Sequence, residues 1–130
     1  MARRVTRQEE KERAPEALFK AGESISTDIV VYLSGEDQVS KASPSLGLNK
    51  VIGISSSSGN VNDSIYVTVS GLHKLDSALA GGSPGDPVYF DDNGALTLTA
   101  PTNSEDYIQQ VGLYSTATSI FVQILPALDF

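Results

Sequence analysis

The chain has 130 residues, enough for one domain with a core of its own. It contains no cysteine, which excludes disulfides and thiolate metal sites. The net charge of −7 is unevenly spread: residues 1–20 hold six of the nine Lys/Arg and stand at +2, while the remaining 110 residues stand at −9. A basic arm on an acidic body is the layout of a tail that docks on a partner. The acidic body argues against nucleic acid as that partner, because phosphates need a positive surface.

Residues 1–16 form the arm. Thr6-Arg7-Gln8-Glu9 fits a capping box, and Glu9 and Arg13 stand at the favourable i, i+4 spacing. These features predict a short helix from about Thr6 to Arg13, or else an extended arm. Val5 is the only large apolar residue after Met1 and before Leu18, so the arm has no stripe with which to fold onto a core of its own. No apolar segment follows the basic start, so no secretory signal is expected. No apolar run approaches the roughly 20 residues of a membrane-spanning helix, so no membrane partner is expected.

Residues 17–130 read as all-β. The expected strands are Leu18–Lys20, Ile29–Leu33, Gln38–Lys41, Val51–Ser55, Ser64–Ser70, Val88–Phe90, Ala95–Thr99, Ile108–Tyr114 and Ser119–Ile124. Turn formers separate them, among them Ser34-Gly35-Glu36-Asp37 and Asp91-Asp92-Asn93-Gly94. Ile65, Val67 and Val69 alternate with Tyr66, Thr68 and Ser70, the period of a half-buried strand. Asn93-Gly94 is expected to supply the positive φ angles of a hairpin turn. Leu72, Leu75 and Leu79 have helical spacing, which predicts one or two helical turns in a connector over residues 72–85. Short strands with frequent turns point to a compact antiparallel barrel or sandwich.

The two sides of that connector resemble each other. Val31-Tyr32-Leu33 matches Val88-Tyr89-Phe90, followed by Val39 and Leu96 and then by Pro44 and Pro101, all 57 positions apart. Val51-Ile52-Gly53-Ile54 answers Gln110-Val111-Gly112-Leu113, and Ser64-Ile65-Tyr66-Val67 answers Ser119-Ile120-Phe121-Val122. The small changes in spacing fall in loops, where added length costs little. One unit of about residues 17–71 and a second of about 86–124 are expected to close a single core about a pseudo-two-fold axis. Residues 125–130 leave a tail whose Leu125, Leu128 and Phe130 either close the end of the barrel or contact a neighbouring subunit.

These pieces carry a family resemblance. Ala21-Gly22-Glu23-Ser24-Ile25, Val31-Tyr32-Leu33, Val39-Ser40-Lys41-Ala42 and Val51-Ile52-Gly53-Ile54 resemble the first half of small β-modules in virion proteins of tailed bacteriophages. Gly85-Asp86-Pro87-Val88-Tyr89-Phe90, Gly94-Ala95-Leu96-Thr97, Pro101 and 111–118 resemble the second half. The likeness covers about Leu18 to Ile124, and the polar arm lies outside its pattern. Free-standing modules of this kind resemble head decoration, or cement, proteins with a β-tulip body. The resemblance implies a non-enzymatic homotrimer on the outer surface of the virion capsid, bound across capsomers of the major capsid protein and stabilising them. It also leaves open a tail or fibre component that binds a host surface or another virion protein. The expected partner-binding residues are Arg3, Arg4, Arg7, Lys11, Arg13 and Phe19.

No chemistry-bearing motif competes with that expectation. His73 is the only histidine, so no second imidazole or thiolate can join it on zinc, and it is expected at the surface or in the connector. Gly-x-Ser-x-Gly is absent. Asp91-Asp92-Asn93-Gly94 lacks the spacing of an EF-hand loop, with Tyr89 and Ala100 where acids belong. Gly81-Gly82-Ser83-Pro84-Gly85 lacks the Gly-Lys-Ser/Thr of a phosphate loop, and Pro84 removes one amide. Asn62-Asp63-Ser64 is a sequon that matters only in a secreted chain, and Glu105-Asp106 reads as a solvated pair. No metal, cofactor or catalytic residue is therefore expected.

Overall fold

A computed structural model describes residues 16–46, 51–102 and 107–126. The first unit contains β1 (Glu16–Ala21), β2 (Val30–Gly35), β3 (Gln38–Lys41), β4 (Val51–Ser55) and β5 (Ser64–Thr68). The second contains β6 (Gly71–Lys74), β7 (Pro87–Phe90), β8 (Leu96–Thr97), β9 (Gly112–Thr116) and β10 (Ser119–Val122). Among the described residues one 3₁₀ turn, Pro44–Leu46, interrupts them. The all-β expectation holds.

The first unit is a closed barrel with strand order β1-β3-β2-β4-β5, in which β5 returns to β1. The parallel contact of β1 with β3 places Lys20 beside Gln38 and Ala21 beside Val39. The second unit is an open sheet with order β6-β10-β9-β7-β8. Traced from β1 through β5, β4 and β2 to β3, the barrel has the same order as the open sheet traced from β6. The matching pairs are antiparallel in both. The sequence repeat is thus a repeat of topology.

The expected single core is corrected to two. Ala21, Ile25, Val31, Val39, Ile65 and Val67 fill the barrel, with Phe19, Ile29, Ile52 and Val69 packed against them. A larger cluster brings the sheet's Val88, Phe90, Val111, Tyr114, Ile120 and Val122 together with Val30, Val51 and Ile54 of the barrel. The reason lies in alternation along β2: Val31 points into the barrel while Val30 points to the sheet. The first unit therefore encloses a core of its own and offers its outside to the second.

The helical turns expected at Leu72, Leu75 and Leu79 are also corrected. Residues 71–74 are the strand β6, whose Ile120 partner is His73. Past β6 the amides of the connector find distant partners. Leu75 N donates to Thr118 O at 2.8 Å, and Leu79 N donates to Ala117 O at 2.7 Å. Those bonds dock the connector on the β9–β10 turn, so tertiary pairing overrides the helical spacing. The expected strand Ile108–Tyr114 begins later, at Gly112, and the expected Ala95–Thr99 shrinks to Leu96–Thr97.

The β7–β8 hairpin is turned by Gly94 alone, whose φ is +77°; Asn93 does not share the positive φ expected of both. Asp91 closes the turn, its carbonyl accepting Gly94 N at 3.0 Å and its Oδ1 accepting Asn93 N at 2.9 Å and Ala95 N at 3.0 Å. In the first unit Asp37, 57 positions earlier, has φ +53° at the matching place. Asp28 (φ +64°) and Gly85 (φ +94°) form a second such pair, each two residues before the strand that follows.

Candidate functional site

The slot between the two free edges of the open sheet is where the units are stitched together. In the barrel the equivalent edges, β1 and β3, pair with each other. In the second unit residues Thr27, Asp28 and Ile29 of the first unit stand in that place. Ile29 makes an antiparallel bridge to Ala95, next to β8. Asp28 turns its carboxylate toward the end of β6, where Oδ2 accepts Asp76 N at 2.8 Å and Ser77 N at 3.3 Å. A shallow groove remains there, lined among others by Asp28, Ile29, Leu75, Leu79, Ala95 and Leu96.

His73 belongs to this seam, on β6, and not to the surface or the connector where the sequence placed it. It is 3% exposed. Its Nε2 lies 2.9 Å from Asp28 Oδ1, and its Nδ1 lies 3.0 Å from Thr68 Oγ1. A neutral ring carrying its proton on Nε2 satisfies both contacts, donating to Asp28 and accepting the Thr68 hydroxyl. The trio has the residue types of a hydroxyl–imidazole–carboxylate relay. However, Thr68 is 1% exposed, so its oxygen presents no nucleophile to a substrate. The chain instead joins β5, β6 and the segment before β2, and so ties barrel to sheet.

The acidic hairpin turn is likewise committed internally. Asp91 is occupied with its own backbone as described, and Asp92 Oδ1 accepts the Ser43 hydroxyl at 3.1 Å. Pro44 and Pro101, the paired prolines of the repeat, line one groove beside it.

Among its exposed residues the described surface also presents apolar side chains that strand pairing brings into rows. On the solvent face of the open sheet, Leu72 pairs with Phe121, Phe121 with Leu113, and Leu113 with Pro87. The register thus makes a continuous row across β6, β10, β9 and β7. Leu72 is 46% exposed and Phe121 48%. The repeat has a shorter counterpart on the barrel, where Leu18 pairs with Tyr66 and both are exposed. Next to Tyr66 that row meets Ser56, whose amide donates to the Tyr66 carbonyl at 2.8 Å. Sequence alternation alone could not reveal either row, because each is assembled by strand pairing.

Of the expected partner-binding residues, Phe19 lies opposite Ile65 and packs against the barrel core. Leu125 is half-buried; its amide donates to Gln110 O at 3.1 Å, and its carbonyl accepts Gln109 Nε2 at 2.8 Å. Arg3, Arg4, Arg7, Lys11, Arg13, Leu128 and Phe130 lie outside the described residues.

No protein-family model matches the chain, and no curated protein matches it in sequence. Among solved structures it is similar to the crystal structure of the head fiber gp8.5 N base in bacteriophage phi29. The two share 14% identity with a TM-score of 0.43, over 91% of this chain and 100% of that one.

Proposed function

We propose that the chain is a structural virion protein that decorates and stabilises the outer surface of a phage capsid by binding across capsomers. The observation that carries this is the doubled module. The short motifs that resemble phage virion β-modules fall on equivalent strands and turns of two like units, in the same order in each. The described acids and hydroxyls at the seam and hairpin are engaged in holding the units together, which suits a body built for contact. The basic residues Arg3, Arg4, Arg7, Lys11 and Arg13 are the reach toward carboxylates of the shell protein. Binding only the assembled shell stabilises it by mass action, by about 2.7 kcal/mol per site at a hundredfold excess over Kd.

The test is the location and copy number of the chain in purified particles, by imaging and quantitative mass spectrometry. Hundreds of copies on the shell support the proposal. A handful at the tail or at a fibre base would replace it with the appendage role.

A further inference from the structure

We infer that residues 28–30 are a wedge that holds the second unit open, and that this unit closes into a barrel like the first when the wedge withdraws. This goes beyond the virion proposal and does not depend on it. Strand register sets the equivalences. β1 on β5 puts Phe19 opposite Ile65, and β6 on β10 puts His73 opposite Ile120. With Ile65 matching Ile120, Lys20 matches Lys74, Ala21 matches Leu75 and Gly22 matches Asp76. On the other edge Asp37 matches Gly94 and Val39 matches Leu96. The loop backbone repeats on the same terms. Ala21 N donates to Asp63 O and Leu75 N to Thr118 O, both at 2.8 Å. Asp28 N donates to Ser55 O at 2.9 Å, and Gly85 N to Tyr114 O at 2.8 Å.

At the closing edge the pattern parts. In the barrel Lys20 N donates to Asp37 O at 2.8 Å and Gly22 N to Val39 O at 2.7 Å, and these bonds join the β1 side to the β3 side. In the second unit the counterpart acceptor, Gly94 O, takes Val30 N at 2.7 Å. The counterpart donor, Asp76 N, goes to Asp28 Oδ2 at 2.8 Å. Residues 28–30 thus capture one group from each closing bond, so wedge and closure compete for the same backbone. The side chains suit either state. The six positions that fill the barrel are matched by Leu75, Leu79, Val88, Leu96, Ile120 and Val122, all apolar. The difference is bulk: Leu75 stands where the barrel has Ala21, and overfilling a packed interior is unfavourable. That bulk and the wedge together favour the open form. Closure gives up the Asp28–Asp76 bond and the Ile29–Ala95 bridge, so a closed second unit and the intact seam exclude each other. The two arrangements form a two-state element.

The experiment is disulfide trapping on the full chain, which has no cysteine of its own to interfere. Lys20 and Gln38 face each other across β1 and β3, and their counterparts in the second unit are Lys74 and Ala95. Lys20→Cys/Gln38→Cys is expected to bridge readily under oxidised glutathione, because paired strands bring Cα atoms within disulfide range. Lys74→Cys/Ala95→Cys is expected to form its intramolecular bridge more slowly, as the closed form is visited. Adding Asp28→Gly, which keeps the backbone conformation but removes the acceptor of Asp76 N, should speed that trapping at least tenfold. Adding Leu75→Ala in its place, which trims the interior to the barrel's, should speed it as well. Closure within the fold gives a rate that is flat in urea below the unfolding transition, which also separates it from bridging in a weakened chain that merely unfolds. A rate that climbs with urea in step with global unfolding overturns the inference. So does a Lys74/Ala95 pair that stays reduced while the barrel pair bridges, or a trapping rate that Asp28→Gly does not raise.

Discussion

Gly53 and Gly112 hold the same place in the two units, each where a strand presses on the backbone of its neighbour. A methyl group on Gly53 would overlap the carbonyl oxygen of Thr68 in β5, and one on Gly112 would come within 2.8 Å of the carbonyl oxygen of Phe121 in β10. Neither obstacle is a side chain that can rotate away. Gly53→Ala must push β4 from β5 in a closed barrel, where no edge can yield, and should cost about 3 kcal/mol. Gly112→Ala acts in an open sheet, which can splay, and should cost about 1–2 kcal/mol. Urea unfolding of the two variants checks both the losses and their order; equal costs would remove the distinction between closed and open units.

Asp28 and Asp37 share a backbone conformation and should respond oppositely to glycine. Both have positive φ, and both have a glycine counterpart in the second unit, Gly85 and Gly94. Asp37 is exposed, and its carboxylate enters none of the hydrogen bonds among the described residues. Asp37→Gly removes only the left-handed strain and should be neutral or stabilising by up to about 1 kcal/mol. Asp28→Gly relieves the same strain but removes the acceptor for His73, Asp76 N and Ser77 N. It should destabilise by about 2 kcal/mol. A matched pair of thermal melts decides the point.

The contrast shows what a sequence carries and what it hides. The repeat was legible because strand cores and turns use the same small vocabulary in both units: Val31 and Val88, Gly53 and Gly112, Ile65 and Ile120. Local alternation and turn chemistry are enough to place such residues. The seam was not legible, because Asp28, Thr68 and His73 meet only after two units pack, and no periodicity marks a buried polar residue. His73 looked like a connector residue because Leu72, Leu75 and Leu79 imitate a helical stripe. In the fold Leu72 faces solvent, Leu75 is buried, and the residue between them that matters is the imidazole. Closure of only one unit was equally hidden, since it depends on residues 27–29 occupying the slot that β6 and β8 would otherwise share.

The His73 chain should behave as a coupled unit. Thr68→Val keeps the shape of the side chain but leaves the buried Nδ1 of His73 without its partner, at a cost of about 1–2 kcal/mol. His73→Ala strips partners from both the buried Thr68 hydroxyl and Asp28, and opens space, at a cost of about 3 kcal/mol. In the double variant the first loss is already contained in the second. The cycle should therefore show an interaction of about 1 kcal/mol or more. Strict additivity of the urea-derived free energies would mean that the 3.0 Å contact contributes nothing.

Removing residues 1–15 should separate folding from shell binding. β1 starts at Glu16, opposite Thr68, and closes the barrel through β5 on one side and β3 on the other. A chain beginning at Glu16 keeps every one of those pairs, so its urea midpoint should match the full chain closely. Its affinity for undecorated shells should fall at least tenfold, because Arg3, Arg4, Arg7, Lys11 and Arg13 leave with the segment. If those residues act through ion pairs, full-chain binding must itself weaken as salt rises, since the Debye length shortens from about 10 Å at 0.1 M to about 3 Å at 1 M. A truncated chain that binds shells as tightly as the full chain would place the contact on the β-body and sink the role proposed for the arm. Full-chain binding that is indifferent to salt would leave the segment in play through something other than its charge, and would count against the arginines.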